Sequence, residues 1–310
     1  MLQKIVNRGQ LATKISAEKS ILICSTSFEK RWKSVLEDIG IDNWKRVVLF
    51  NSLKNNDGEF LFSNKSNVTI AGCKYTDPID VLVTCNEKLV PILNELIGSD
   101  YKVIFDISTF TREMLLIILK VLEYYKFLEH STFIYTPSKS MSENWLSKGV
   151  LNTRSVLGYA GDFDLNNETH LVLLCGFEVE RSIAAIEEYE PTRLTVLSGD
   201  SNSSYSEAYY ARSRELVENL KTHYGSNFYS EEIDITDLAK LKSYILELLK
   251  SEKFRNQNVV IVPLSNKIST LALGLAMLEV THAQVVYPQP AEYNEKDYSE
   301  AAEKYFIFEI

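Results

Sequence analysis

The chain is poor in the residues and patterns that mark most metal and redox sites. It has four cysteines and four histidines in 310 residues. Cys24, Cys73, Cys85 and Cys175 form no close CxxC pair, which argues against a zinc knuckle or a thioredoxin-like dithiol. Three of them lie in apolar, strand-like runs, so buried reduced thiols in a cytoplasmic protein are expected. His130, His170, His223 and His282 lack metal-ligand spacing. Each is expected on the surface or at a strand edge, and no metal or other cofactor is expected. No GxGxxG follows a strand-like run, and GxxxxGK[ST], GxSxG and HExxH are absent. These absences remove the dinucleotide fingerprint, the phosphate loop, the nucleophile elbow and the zincin helix. A Ser/His/Asp triad assembled from distant segments stays open, though no local pattern proposes one.

Long apolar runs are lacking too. Those at 114–119 and 271–278 fall far short of the roughly 20 residues a membrane helix needs. The opening MLQKIVNRGQLATKIS has no long apolar core of a secretory signal. The expectation is a cytoplasmic protein with no membrane partner. Positive charge is also in short supply, with 33 Lys and Arg against 42 Asp and Glu and a net charge of −9. Long nucleic acid is therefore not an expected partner, because that affinity comes mostly from cations meeting phosphates. A small phosphate ligand needs only a local positive pocket.

The residues present suit a globular chain. Hydrophobic residues make up 45%, and 14 Phe, 17 Tyr and 3 Trp supply material for two cores. The length fits two domains of about 150 residues. Short β-branched runs alternate with longer helical patterns, which predicts parallel sheets covered by helices. Strands are expected at 20–24, 46–50, 68–71, 101–106 and 131–135, with helices at 28–39, 88–97 and 111–125. The run 80–84 reads as a strand or a helix start, and the polar stretch 51–66 as a loop carrying a short hairpin at 59–62. The Ser-, Asn- and Gly-rich stretch 137–168 reads as a crossover with one helix at 143–148. The alternation then restarts, with strands at 170–175, 193–197, 227–233, 258–262 and 284–287. Helices are expected at 178–189, 208–224, 236–250, 268–279 and 298–305, and a last strand at 306–310. This predicts an α/β chain of two Rossmann-like domains with mainly parallel sheets, related by internal duplication. The boundaries are a lead-in at 1–19, a first domain at 20–150, a linker at 151–168 and a second domain at 169–310.

The duplication shows in particular residues. Phe28-Glu29 with Arg31 follows the first strand of one half, and Phe177-Glu178 with Arg181 follows that of the other. Late in each half an apolar strand ends in a polar turn that opens an apolar helix. Ligands of open parallel sheets bind outside the strands' carboxyl ends. The candidate ligand-binding residues are therefore Ser27, Phe28, Asp106, Ser108, Thr109 and Arg112 in the first half. In the second they are Phe177, Ser265, Asn266 and Lys267. Hydroxyls at a helix start let backbone N–H groups reach an anion, and Arg112 and Lys267 add charge. The plainer alternative is helix capping, worth about 1 kcal/mol per cap. Glu29 and Glu178 read as exposed first-turn carboxylates favoured by the helix dipole, with acid–base work as the alternative. The catalytic residues, if any, are not legible.

Asp106-x-Ser108-x-x-x-Arg112 resembles the [DN]-x-[ST]-x-x-x-[KR] motif of CRISPR-associated Rossmann fold (CARF) domains. Two such units in one chain also resemble the tandem SAVED domains of anti-phage defence. The resemblance implies a defence-associated sensor of a small nucleotide, a cyclic oligonucleotide or a relative, held in a cleft between the halves. It further implies either signalling to an effector protein or metal-independent cleavage of the ligand as a ring nuclease, with homodimers as one form. The second half departs from the motif, with Pro263 in the place of the acid and Lys267 two positions early. Alternatives are an enzyme on a small nucleotide or nucleoside, using Asp106, Glu29 or Glu178, and a ligand-free scaffold with Tyr205, Tyr209 and Tyr210 at its interface.

Overall fold

The computed structural model describes residues 1–52, 62, 64–142, 145–204, 206–296 and 298–310. In chain order its elements are β1 (Leu2–Asn7), β2 (Ser20–Ser25), α1 (Ser34–Ile39), β3 (Arg46–Ser52), β4 (Val68–Cys73), α2 (Pro78–Thr84), α3 (Val90–Glu95) and β5 (Lys102–Asp106). There follow α4 (Arg112–Tyr124), β6 (Ser131–Tyr135), β7 (Ser138–Met141), β8 (Ser147–Ser155), β9 (Glu168–Cys175), α5 (Val179–Tyr189), β10 (Arg193–Gly199) and α6 (Glu207–Tyr224). The last are β11 (Phe228–Ile233), α7 (Leu238–Lys250), β12 (Gln257–Pro263), α8 (Lys267–Ala276), β13 (Gln284–Tyr293), β14 (Ser299–Ala301) and β15 (Lys304–Glu309).

The chain divides into two units, one of Met1–Met141 with Glu295–Ile310, the other of Ser142–Asn294. The first unit's sheet runs β1-β15-β6-β5-β2-β3-β4. Strands β4, β3, β2, β5 and β6 are parallel, and β15 and β1 add antiparallel pairs. The second unit's sheet runs β11-β10-β9-β12-β13-β8. All its pairs are parallel except the last, β13 with β8. Counted within each unit, the parallel core has one order in both: third, second, first, fourth, fifth strand. That shared order agrees with the expected duplication and gives two Rossmann-like cores. Each reverses direction beside its first strand, between β2 and β5 and between β9 and β12.

Burial explains why these strands form. Every residue of β2 is buried, as expected of a parallel strand covered on both faces. Helix α4 is buried from Glu113 through Leu119, so its apolar run is a core helix. In the first unit Trp32, Val35, Leu36 and Ile39 pack against Leu22, Ile104 and Ile134. In the second, Ala185, Ile186, Leu216 and Leu220 pack against Leu171, Leu173 and Val260. All four cysteines are free and buried.

Several expectations are corrected. The stretch 151–168 is not a plain linker, because β8 begins at Ser147 and pairs with β13. Of the helix expected at 143–148, residues 143–144 lie outside the described residues, and Ser147 and Lys148 belong to β8. Residues 59–61 of the expected hairpin also lie outside them. The C-terminal tail belongs to the first unit, since β15 sits between β1 and β6. The helix expected at 298–305 is replaced by β14, which pairs with β7, and the start of β15. Its Glu- and Ala-rich sequence favours helix locally, and cross-strand pairing overrides that preference. The lead-in contains β1, an edge strand held by β15. Residues 80–84 are helical within α2, and 28–39 splits into a 3-10 turn at Lys30–Lys33 and α1. His170 is neither exposed nor at a strand edge: it is buried within the central strand β9.

Candidate functional site

The polar loops picked out in the sequence lie where each sheet's order reverses. In the first unit, β2 delivers Ser25, Thr26, Ser27 and Phe28, and β5 delivers Asp106, Ser108 and Thr109. The two loops are bonded together: Thr109 Oγ1 donates to the Ser25 carbonyl at 2.8 Å. Thr26 N–H donates to the Phe50 carbonyl at 2.8 Å, and Thr26 Oγ1 accepts from Ser52 N–H at 3.0 Å. Tyr75 closes the same end, donating to the Phe50 carbonyl at 2.5 Å and accepting from Ser25 Oγ at 2.8 Å.

Asp106 and Ser108 form an Asx-type turn. Asp106 Oδ1 accepts from Ser108 N–H at 3.1 Å and from Ser108 Oγ at 2.5 Å. Ser108 Oγ in turn accepts from Thr136 N–H at 2.8 Å. Asp106 Oδ2 is buried and has no hydrogen-bond partner. Burial raises the Asp106 carboxyl from 3.8 to about 6, opposed by the Ser108 hydrogen bonds and the charge of Arg31. Asp106, Ser108 and Thr109 are all buried, so they shape the loop from beneath. Ser27, Phe28, Thr111 and Arg112 are half-buried and form its accessible rim. Thr111 caps α4 by accepting from Met114 N–H at 3.0 Å, which puts Arg112 on the first helical turn. Ser27 Oγ accepts from Glu29 N–H at 3.1 Å, and the Phe28 ring packs edge-on against Tyr298 at 5.3 Å.

The second unit builds the same place differently. Phe177 is half-buried and stacks on Tyr209 at 4.9 Å. A Cβ on Gly176 would come within 2.5 Å of the Leu264 carbonyl oxygen, so only glycine lets these two loops approach. Ser265 is buried. Asn266 caps α8 by accepting from Ser269 N–H at 2.8 Å and donates to the Ile235 carbonyl at 3.0 Å. Lys267, half-buried, opens the helix. Pro263 ends β12, so no carboxyl stands where the first unit has Asp106.

Glu29 and Glu178 are not exposed carboxylates. Each is buried and paired with the arginine that follows it. Arg31 donates to Glu29 Oε2 through Nε at 2.9 Å and to the Thr136 carbonyl at 2.9 Å. Ser299 Oγ donates to Glu29 Oε2 at 2.7 Å. In the second unit Arg181 Nη1 donates to both Glu178 oxygens at 3.0 Å, and Nε donates to the Pro288 carbonyl at 2.8 Å. Ser147 Oγ donates to Glu178 Oε1 at 2.6 Å. Each pair thus ties the loop after the unit's first strand to its fifth strand, or to the residue just past it, and to a serine of an antiparallel segment. Sequence reading missed Ser147, Thr136 and Ser299, because isolated hydroxyls carry no pattern until strand pairing brings them in.

Among the described residues, no group of three His, Cys, Asp or Glu side chains is placed to hold a metal ion, and no helix is long and apolar enough to cross a membrane. Residues 168–293, from β9 through β13, match the family described as "HFX_2341_N:-like, N-terminal". No curated protein matches the chain. Among solved structures, a multidomain module of a keto acid-selecting nonribosomal peptide synthetase (adenylation, ketoreductase and pseudo Asub) aligns over 90% of this chain at 10% identity, with a TM-score of 0.24. This chain spans 30% of that protein's length. Sucrose-phosphate synthase from Thermosynechococcus elongatus aligns over 84% of this chain and 89% of its own, at 10% identity and a TM-score of 0.21. Neither likeness is close enough to bear on activity.

Proposed function

We propose that the protein is a nucleotide sensor of a prokaryotic defence system. Its ligand is a cyclic oligonucleotide or a related small phosphorylated nucleotide, bound at the carboxyl ends of the parallel strands. The observation that carries this reading is the repeated arrangement beside the first strand of both units. A capped helix start there carries a half-buried cation, Arg112 or Lys267, next to a half-buried aromatic loop, Phe28 or Phe177. Helix starts favour phosphate oxygens through their free N–H groups and dipole. In this reading Arg112 and Lys267 contact phosphates, Ser27 and Asn266 supply hydrogen bonds, and Phe28 or Phe177 stacks on a base. Asp106, Ser108, Thr109 and Ser265 hold the loops in shape from below. Output passes to an effector protein, and ligand cleavage at a ribose hydroxyl needs only positioning and charge stabilisation.

A thermal-shift screen against cyclic and linear oligoadenylates and mononucleotides tests the reading. A ligand at 100 times its Kd stabilises by about 2.7 kcal/mol. A selective shift by one cyclic species, lost in both Arg112→Ala and Lys267→Ala, is expected. A flat response across the panel overturns it. A second reading, an enzyme on a small nucleotide, rests on Asp106, whose bare carboxyl oxygen and elevated pKa suit proton transfer. Turnover of the same panel, abolished in Asp106→Asn while binding persists, selects that reading.

A further inference from the structure

Register shows which places in the two sheets are equivalent. In the first unit Leu22 pairs with Ile104, and Ile104 with Thr132. In the second Leu171 pairs with Val260, and Val260 with Gln284. Leu171 follows Leu22 by the same 149 positions that separate Phe28 from Phe177. Thr132 and Gln284 are therefore equivalent, and β6 with β7 corresponds to β13. Each of these segments is covered by an antiparallel arm. β14 and β15 run along β7 and β6, with Ser299 opposite Met141 and Glu309 opposite Thr132. β8 runs along β13, with Ser147 opposite Tyr293. Met141 and Tyr293 are again equivalent, since Tyr293 follows Met141 by the 152 positions that separate Thr132 from Gln284. The arms also agree in chemistry: Ser299 donates to Glu29, and Ser147 to Glu178.

The order of the chain makes this symmetry unusual. β8 follows β6 and β7 in sequence, yet it belongs to the second unit. β14 and β15 follow β13, yet they belong to the first. Consecutive strands ordinarily lie side by side, and the links 142–146 and 294–298 are each as long as a hairpin loop. A half that closed on itself would fold its arm back along the strand it had just made. Neither half does so. Each arm instead lies along the other half's fifth strand, in the place the other's own arm would fill.

We infer that the sequence halves 1–155 and 156–310 are strand-exchange partners. Each gives the other its last antiparallel arm and, with it, the serine that holds the other's buried Glu–Arg pair. The open side of each fifth strand is thus a docking edge for one kind of partner, the arm of a second copy of the half, supplied here by the same chain. An unpaired edge leaves N–H and C=O groups that an incoming strand satisfies. Exchange of like elements keeps every such contact, so it is a low-cost route to a pair. Neither half closes its sheet, or braces the loop after its first strand, without the other. This inference is independent of the nucleotide reading.

The test is a nick in the folded full chain. A site for a specific protease is inserted after Leu165, which is 92% exposed on the loop between β8 and β9; loop tips tolerate such insertions. After cleavage the two pieces are expected to elute as one particle of full-chain mass. Separation into two half-mass particles in native buffer overturns the proposal. Cysteine pairs then show what holds the pieces, since the four natural thiols are buried. Directly opposed residues of antiparallel strands lie within disulfide reach. Thr132→Cys with Glu309→Cys, and Lys148→Cys with Glu292→Cys, stand opposite each other across the two arms. Each pair should join the nicked pieces on a non-reducing gel, and half-sized bands with either pair overturn the exchange. Gln284→Cys with Glu309→Cys is the pair that a self-closed second half would bring together. Both of its added thiols should stay open to alkylation, read by mass spectrometry, and a disulfide between them overturns the inference.

Discussion

Asp106 links local geometry to a measurable pH effect. Its folded-state pKa lies above that of an unfolded carboxyl, so the folded chain holds this proton more tightly. The favourable contribution is therefore complete below about pH 4 and lost as pH rises through about 6, by on the order of 3 kcal/mol. Asp106→Asn removes that titration. The stability of the parent chain relative to the variant should fall across this window in urea unfolding series. A constant difference would show that the carboxyl ionises normally. Gly176→Ala should be costly for a different reason: the added methyl meets the Leu264 carbonyl oxygen at 2.5 Å. Relief needs a backbone shift of the kind that costs about 1–3 kcal/mol, read as a drop of several degrees in Tm. At this scale the sequence revealed the positions well and their exposure poorly. Runs ending in Ser, Thr and Asp marked both loops correctly. Whether Ser108 lies under the loop or on its rim depends on Thr136, a partner 28 residues away, and no local pattern encodes that.

The antiparallel segments depend on the buried Glu–Arg pairs. Glu29 and Arg31 hold β14 and the exit of β6 through Ser299 and Thr136, and Glu178 and Arg181 hold β8 and β13 through Ser147 and Pro288. Removing one partner of a buried pair strands the other charge, at a cost of about 3–5 kcal/mol. Arg31→Met and Arg181→Met should each destabilise by that order in denaturant titrations. The doubles Glu29→Gln/Arg31→Met and Glu178→Gln/Arg181→Met should recover much of the loss. Additive losses would show that the charges act independently. The parallel strands were legible because burial on both faces leaves continuous apolar runs such as SILIC and HLVLLC. Strand β8 was not, because every residue in it is exposed or half-buried and its sequence, SKGVLNTRS, shows no alternation. Its place is fixed by backbone pairing with β13.

At the scale of the molecule, the two units are unequal in continuity. Residues 142–294 form one uninterrupted stretch, whereas the first unit recruits residues 295–310. A fragment of 142–294 should fold cooperatively by circular dichroism and resist protease. A fragment of 1–141 should not, because without β15 nothing joins β1 to β6. Adding a peptide of 295–310 should restore protection to the second fragment, and a protected 1–141 without it would contradict this account. The duplication was legible from paired Phe-Glu motifs, but the crossing of the tail was not, since pairing partners as distant in sequence as Phe306 and Tyr135 leave no local trace. That crossing also sets a timetable for synthesis. Chains usually fold from the N-terminus as they emerge. Here the first unit must wait for residues 295–310 to leave the ribosome before its sheet can close. The half made second has all its strands by then, so the later-born unit is the first to mature.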